Sequence, residues 1–317
     1  MVNGSSILPP TAHKNHTHMN NNPLTGVEYT TTGDRHRGIV CDYHHKPSPL
    51  TLNKSKSKVD ISGLKKKEQA TLIIPERDYF SNELEYVTKY TIGFEIEKNQ
   101  FHRGAVREYE LFCGFERDRS CGYEAVTHVL PLLPASAWRN KVFDMVYKAK
   151  RIIEDSHSPS DQRCGGHISI GVNGKSGDEI IQMVRYNCGI LLALFRHRLR
   201  NHYCCINKRM NAGYREKYSV ANIKGNCLEF RIPSRVESVK QLMRRYELMY
   251  EIVKFSDEHN GQTTQREHDR FLKKIRPIVL SMYNGDEDAC EKILDYARKF
   301  REYIVNGEVH ESIARFV

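Results

Sequence analysis

The chain has 317 residues, 39% of them hydrophobic, with 49 Lys and Arg against 39 Asp and Glu and a formal net charge of +10. That is enough for one large domain, or two smaller ones, with a real core. The longest apolar run, GILLALF at 189–195, is too short to span a bilayer as a helix, and the basic excess favours anionic partners: nucleotides, nucleic acid or an acidic surface.

The charge is uneven. Residues 1–75 hold ten Lys/Arg and five Asp/Glu, about half of the excess, among Asn, Thr, His, Ser and Pro. Stretches such as NKSKSKVDISGLKKKEQ (53–69) bury little surface, so this segment is expected to be a basic, largely extended or disordered arm. Cys41 with His44 and His45 could hold zinc, but no second ligand pair lies nearby. The start, MVNGSSILPP, lacks the basic and apolar regions of a secretory signal. Nine Cys, with Cys204 and Cys205 adjacent, show no disulfide framework and point to reduced thiols in the cytoplasm.

From about residue 86 the pattern turns strand-like. YVTKYTIGFEIE alternates, and AVREYELFCGFERD (105–118) suggests more strand. YEAVTHVLPLLP (123–134) starts as strand and ends at proline. Residues 136–156 read as one helix, with Trp138, Val142, Met145, Val146, Ala149, Ile152 and Ile153 on one face. CGGHISIGV (164–172) returns to strand. Ser176 and Glu179 form a capping box that opens a helix expected over about 178–200. YSVANIKGNCLEFRIPS (218–234) predicts two strands around a Lys-Gly-Asn turn, Ser238 caps another helix, and two more are expected at about 263–283 and 286–304. The fold class is α+β, a mainly antiparallel sheet interrupted by helices.

Several segments carry chemistry. On a strand, Glu95 and Glu97 share one face roughly 6.5–7 Å apart, with Phe94 and Ile96 on the other. A solvated face explains this, and so does a cation that reverses the mutual repulsion. His167 and Ser169 share a face after two glycines; a structural strand histidine and a Cys164–His167 zinc half-site are both open. Glu229 and Arg231 share a face, either as an ion pair or as a metal ligand beside a phosphate-binding guanidinium. In FRHRLRNHYCCINKR (195–209), Arg196 and Arg200 are four apart and share a helical face, while Arg198, His202 and Arg209 add positive charge. Glu124, with Thr127 three residues on, is a weak signal alone.

In this order, the segments resemble the amidoligases, ATP-dependent carboxylate–amine ligases related in fold to glutamine synthetase, glutamate–cysteine ligase and the guanido kinases. The matching elements are Gly93, Glu95 and Glu97; Glu124, Thr127 and Pro131; Cys-Gly-x-His at 164–167; the Arg-bearing helix ending in YCC (203–205); and Glu-Phe-Arg at 229–231. They cover about residues 88–236, and Ser169 stands where the family usually has a second histidine.

The resemblance implies a curled, glutamine synthetase-like antiparallel sheet with flanking helices. It divides the chain into the arm (1–75), a catalytic domain (76–256) and a helical extension (257–317). Glu95, Glu97, Glu124, His167 and Glu229 would hold two or three Mg²⁺, with Mn²⁺ the alternative, around ATP. Arg231 and Arg196, with Arg200 or Arg209 in reserve, would bind phosphoryl oxygens or orient the carboxylate. Partners would be ATP, a carboxylate and an amine, free or borne on a peptide or protein. The products would be an amide, formed through an acyl phosphate, ADP and phosphate. No Walker loop is present. On this basis Glu95→Ala and Glu229→Ala should abolish ATP turnover and leave the fold intact. The rivals are a nucleic-acid-binding module acting through the basic arm and a non-catalytic interaction protein on a ligase-like fold.

Overall fold

The computed structural model describes residues 87–100, 106, 109, 111–118, 120–154, 163–172, 174–204, 206, 218–224 and 227–307, together with short strands at 19–22, 27–30 and 72–73. The Cys41–His45 zinc reading and Arg209 lie outside the described residues, as does nearly all of the 1–75 segment.

Strands β1 (Met19–Asn22) and β2 (Val27–Thr30) pair with each other, as do β3 (Leu72–Ile73) and β4 (Val87–Thr88). The main sheet comprises β5 (Tyr90–Lys98), β6 (Phe112–Asp118), β7 (Gly122–Thr127), β8 (Leu130–Pro131), β9 (Gly166–Val172), β10 (Ala221–Lys224) and β11 (Cys227–Phe230). Its order is β10-β11-β9-β5-β7-β6, with β8 also on β5, and its pairings are antiparallel.

Alternation gives this sheet two unlike faces. Ile92, Phe94 and Ile96 on β5, Ile168 and Ile170 on β9, and Leu228 and Phe230 on β11 form an apolar face with almost no exposure. The other face carries Glu95, Glu97, His167, Ser169 and Glu229, and these too are buried. β5 is therefore covered along its whole length, which removes the solvated-face account of Glu95 and Glu97. Lys98 falls on the apolar side by the same alternation and is 1% exposed. Its Nζ donates to Ile153 O at 2.8 Å and Val236 O at 2.7 Å, and burial lowers its pKa to about 8.

Two expected helices are interrupted. The first runs as α1 (Ala137–Lys148) and α2 (Lys150–Glu154), because Ala149 leaves helical geometry while its N–H still bonds Met145 O. The second is α3 (Gly177–Val184), a 3₁₀ turn at Arg185–Asn187, α4 (Gly189–Leu194), and another 3₁₀ turn at Arg196–Arg198. Its Ser176–Glu179 capping box forms, but tertiary contacts break the rest. Buried Asn187 donates to Ser256 Oγ at 2.8 Å, and Gly189 lies against the last helix.

Three long helices follow: α5 (Val239–Glu258), capped by Ser238, α6 (Gln265–Met282) and α7 (Glu287–Asn306). α3 packs on β9, β10 and β11, while α5 packs on β5, α1, α2 and α3. α6 packs against both α5 and α7, and α7 runs along α4. That last contact requires a glycine. A Cβ on Gly189 would sit 2.7 Å from Ala297 O and 3.1 Å from Arg301 N. Gly189→Ala is expected to cost about 1–3 kcal/mol in urea denaturation; an unchanged midpoint would show that the two helices do not meet there. No helix among the described residues is long and apolar enough to cross a membrane.

Candidate functional site

The polar face is assembled by register. Glu95 on β5 stands opposite His167 on β9, Ser169 opposite Glu229 on β11, and Asn222 on β10 opposite Glu229. Glu97 faces Glu124 on β7. Because same-face residues on adjacent strands are neighbours, the acids converge around the imidazole. His167 Nδ1 lies 2.9 Å from Glu95 Oε2 and 3.6 Å from Glu229 Oε1, while its Nε2 lies 3.4 Å from Glu97 Oε1. One ligating atom each from Glu95, His167 and Glu229 lie within 4.8 Å of one another. Glu124 sits half-buried next to Glu97 in register but outside that group of three.

The entry to β9 is held from several sides. Gly165 N–H donates to Glu97 Oε2, and Gly166 N–H donates to Pro233 O at 3.1 Å. Gly166 admits no side chain: a Cβ would come within 2.7 Å of Ser234 O and 2.6 Å of Arg245 Nη1. Arg198, 3% exposed, donates from Nη1 to Cys164 O at 2.8 Å. Cys164 is itself buried; burial first, then Glu97, pushes its thiol up to about 11. The side chains gathered around the His167 ring are the carboxylates of Glu95, Glu97 and Glu229, and the three-residue group that could hold a metal does not include Cys164.

Glu229 is fully buried and heavily engaged. Its Oε1 accepts from Lys224 Nζ at 2.9 Å and Arg231 Nη1 at 3.1 Å, and its Oε2 accepts from Asn222 Nδ2 at 3.2 Å. Burial alone would raise its pKa, but Lys224 and then Arg231 outweigh it and hold the carboxyl down to about 2. Burial likewise disfavours the charge on Arg231; Glu229, Glu95 and Glu97 reverse that and raise its pKa. Arg231 Nε also donates to Tyr203 O at 3.4 Å. Lys224 Nζ lies 3.4 Å from Glu95 Oε1 as well.

The other sequence-derived arginines are placed differently. Arg196 bonds Ala193 O and lies over the Tyr296 ring of α7, its guanidinium carbon 5.2 Å from the centroid. It thus faces the C-terminal helices. Arg200 is exposed. The helix breaks change the phase that would have put Arg196 and Arg200 on a common face, and Arg198 is the one turned inward. Lys224 also departs from expectation: it is the last residue of β10 rather than part of the turn. The alternation Asn222, Lys224 was the signal, since it continues the polar face across the hairpin.

No protein-family model matches the chain. No curated protein matches it. Among solved structures, one described as "Apo GmaS without ligand" aligns at 10% identity and a TM-score of 0.32, over 72% of this chain and 72% of that one. An overlap at that level does not define a common fold.

Proposed function

We propose that this chain is an ATP- and divalent-metal-dependent ligase that joins a carboxylate to an amine. The observation that carries the proposal is the convergence of Glu95, His167 and Glu229 on one buried sheet face, with Arg231 bound to the same Glu229. Two carboxylates and an imidazole are a donor set for a divalent ion, and the imidazole suits Mn²⁺ better than Mg²⁺. Glu97 and Glu124, in register beside them, would extend the site toward further ions on a sheet curled as the resemblance implies.

A bound cation would neutralise the polyphosphate and the charge that develops during in-line transfer. The chain's own groups would do the rest. Arg231, kept charged by the acids around it, would hold phosphoryl oxygens or the substrate carboxylate. Arg198 and Gly165, through Cys164 O and Glu97, would keep the His167 entry rigid. A substrate carboxylate oxygen would attack the γ-phosphorus, the β–γ bridging bond would break, and ADP would leave. The amine would then attack the acyl carbon, phosphate would leave and the amine proton would pass to water.

A second reading, a non-catalytic protein with a buried ion network, is favoured by the positions of Lys224 and Arg231, which already balance much of the acid charge. Thermal shift separates the two. At Mn-ATP near one hundred times its Kd, binding to the native state adds about 2.7 kcal/mol and raises Tm by roughly 5–10 °C. Glu229→Gln should lose that shift; a carboxylate alone should release at most about one ADP per site, and continuous ADP turnover should require an amine as well. No shift at millimolar Mn-ATP would refute the ligase.

A further inference from the structure

The ammonium of Lys224 lies 2.9 Å from Glu229 Oε1 and 3.4 Å from Glu95 Oε1. These two residues supply both carboxylates of the three-residue group that could hold a metal. A cation shared between two carboxylates is thus already built into the site, and it belongs to the chain. Its surroundings keep it there. Lys224 ends β10 on the polar face, in register next to Cys227 at the start of β11, and its side chain is 16% exposed. Asn222, two residues earlier on the same face, ties the same hairpin to the other oxygen of Glu229.

We propose that Lys224 is a resident counter-ion that competes with the divalent cation for Glu95 and Glu229. This rests on the cation site of the ligase reading. Charge and geometry both require the competition. The lone pair of Glu229 Oε1 that meets Lys224 cannot also meet a metal at about 2 Å. With Lys224 and Arg231 in place, a divalent ion would enter a cluster whose carboxylates are largely neutralised. Repulsion between an ammonium and a dication a few ångströms apart in a buried site is large. Lysine can resolve this where arginine could not: it holds a point charge on a flexible four-carbon stem, without the planar fork that locks Arg231. A metal ion therefore enters as the Lys224 ammonium swings off the acids. The metal-free protein keeps its acid cluster folded without any ion.

The test is Mn²⁺ binding by the full chain, followed by calorimetry and by the electron paramagnetic resonance signal of free Mn²⁺, for wild type, Lys224→Met and Lys224→Gln. Lys224→Met keeps length and removes charge. It should bind Mn²⁺ at least 10-fold more tightly than wild type. Its Tm should fall by several degrees in chelator and be restored by Mn²⁺, whereas wild type should move little in chelator. If Lys224→Met does not fold in chelator, refolding on addition of Mn²⁺ supports the proposal. Failure to refold with Mn²⁺, or Mn²⁺ affinity in Lys224→Gln no tighter than wild type, overturns it. Equal binding by all three proteins would overturn the role of Lys224 and leave the metal site standing. Absence of Mn²⁺ binding in all three would remove the metal site and the proposal together.

Discussion

Glu229→Ala is expected to unfold far more easily than wild type, losing about 3–5 kcal/mol, the usual cost of breaking a buried ion pair from one side. The residue has no exposure, and its loss leaves the Lys224 ammonium without its 2.9 Å partner and Arg231 without its 3.1 Å partner. Asn222 Nδ2 also loses its acceptor. The expectation from sequence that alanine here would leave the fold intact therefore changes: a buried carboxylate holding two half-buried cations supports the structure as well as any ligand. Glu229→Gln keeps an oxygen for one of the cations and should cost less, while still removing a charge from the Glu95–His167–Glu229 cluster. Urea denaturation of the two variants against wild type checks this, and loss below about 1 kcal/mol in the alanine variant would mean that the cations relax to solvent at little cost.

Acidification should destabilise the helical end of the chain through His268. This side chain lies on α6 with no exposure, near Phe271, and neither ring nitrogen has a hydrogen-bond partner among the described residues. Burial, helped by the neighbouring charges of Arg301 and Arg298 and opposed by Asp269, lowers its pKa from 6.5 to about 3. An unfolded chain takes up this proton near 6.5 and the folded one only near 3, so between those values the unfolded state holds more protons. Stability contributed by neutral His268 is complete above about pH 6.5 and is lost as pH falls toward 3. The slope is about 1.4 kcal/mol per pH unit, on the order of 4–5 kcal/mol over the window. His268→Leu, of similar volume and without a nitrogen to leave unpaired, should be at least as stable as wild type at pH 7.5 and should lose roughly 2 kcal/mol less by pH 5. Parallel pH curves for the two proteins would assign the acid lability elsewhere.

How much of this was legible follows from the range of each interaction. Glu95, Glu97, His167 and Glu229 could be placed on strand faces because alternation is a property of the backbone itself. By the same rule Lys98 belonged with Phe94 and Ile96, so its burial was open to inference. Lys224 was hidden by a one-residue displacement of the hairpin turn. Register has a period of two, so assigning a residue to the turn removes it from its face. Arg198 carried no local signal. A continuous helix would have turned Arg196 and Arg200 together, and contacts of Asn187 with Ser256 and of Gly189 with Ala297 break it first.

Sequence alone was enough to say which side of each strand carries acid, imidazole or hydrocarbon, and where the Ser176 and Ser238 caps start helices; the Thr264 cap came only with the structure. These depend on neighbours a few residues apart. That β11, β9 and β5 lie side by side, with Glu95 against a histidine 72 positions away and Glu229 against both, is a product of long-range folding. It likewise chose Arg198 over Arg196 for the buried side and set Lys224 among the acids. Those outcomes depend on strand order, register and helix packing between distant segments, where burial of the apolar face leaves few alternatives and no local pattern records the result.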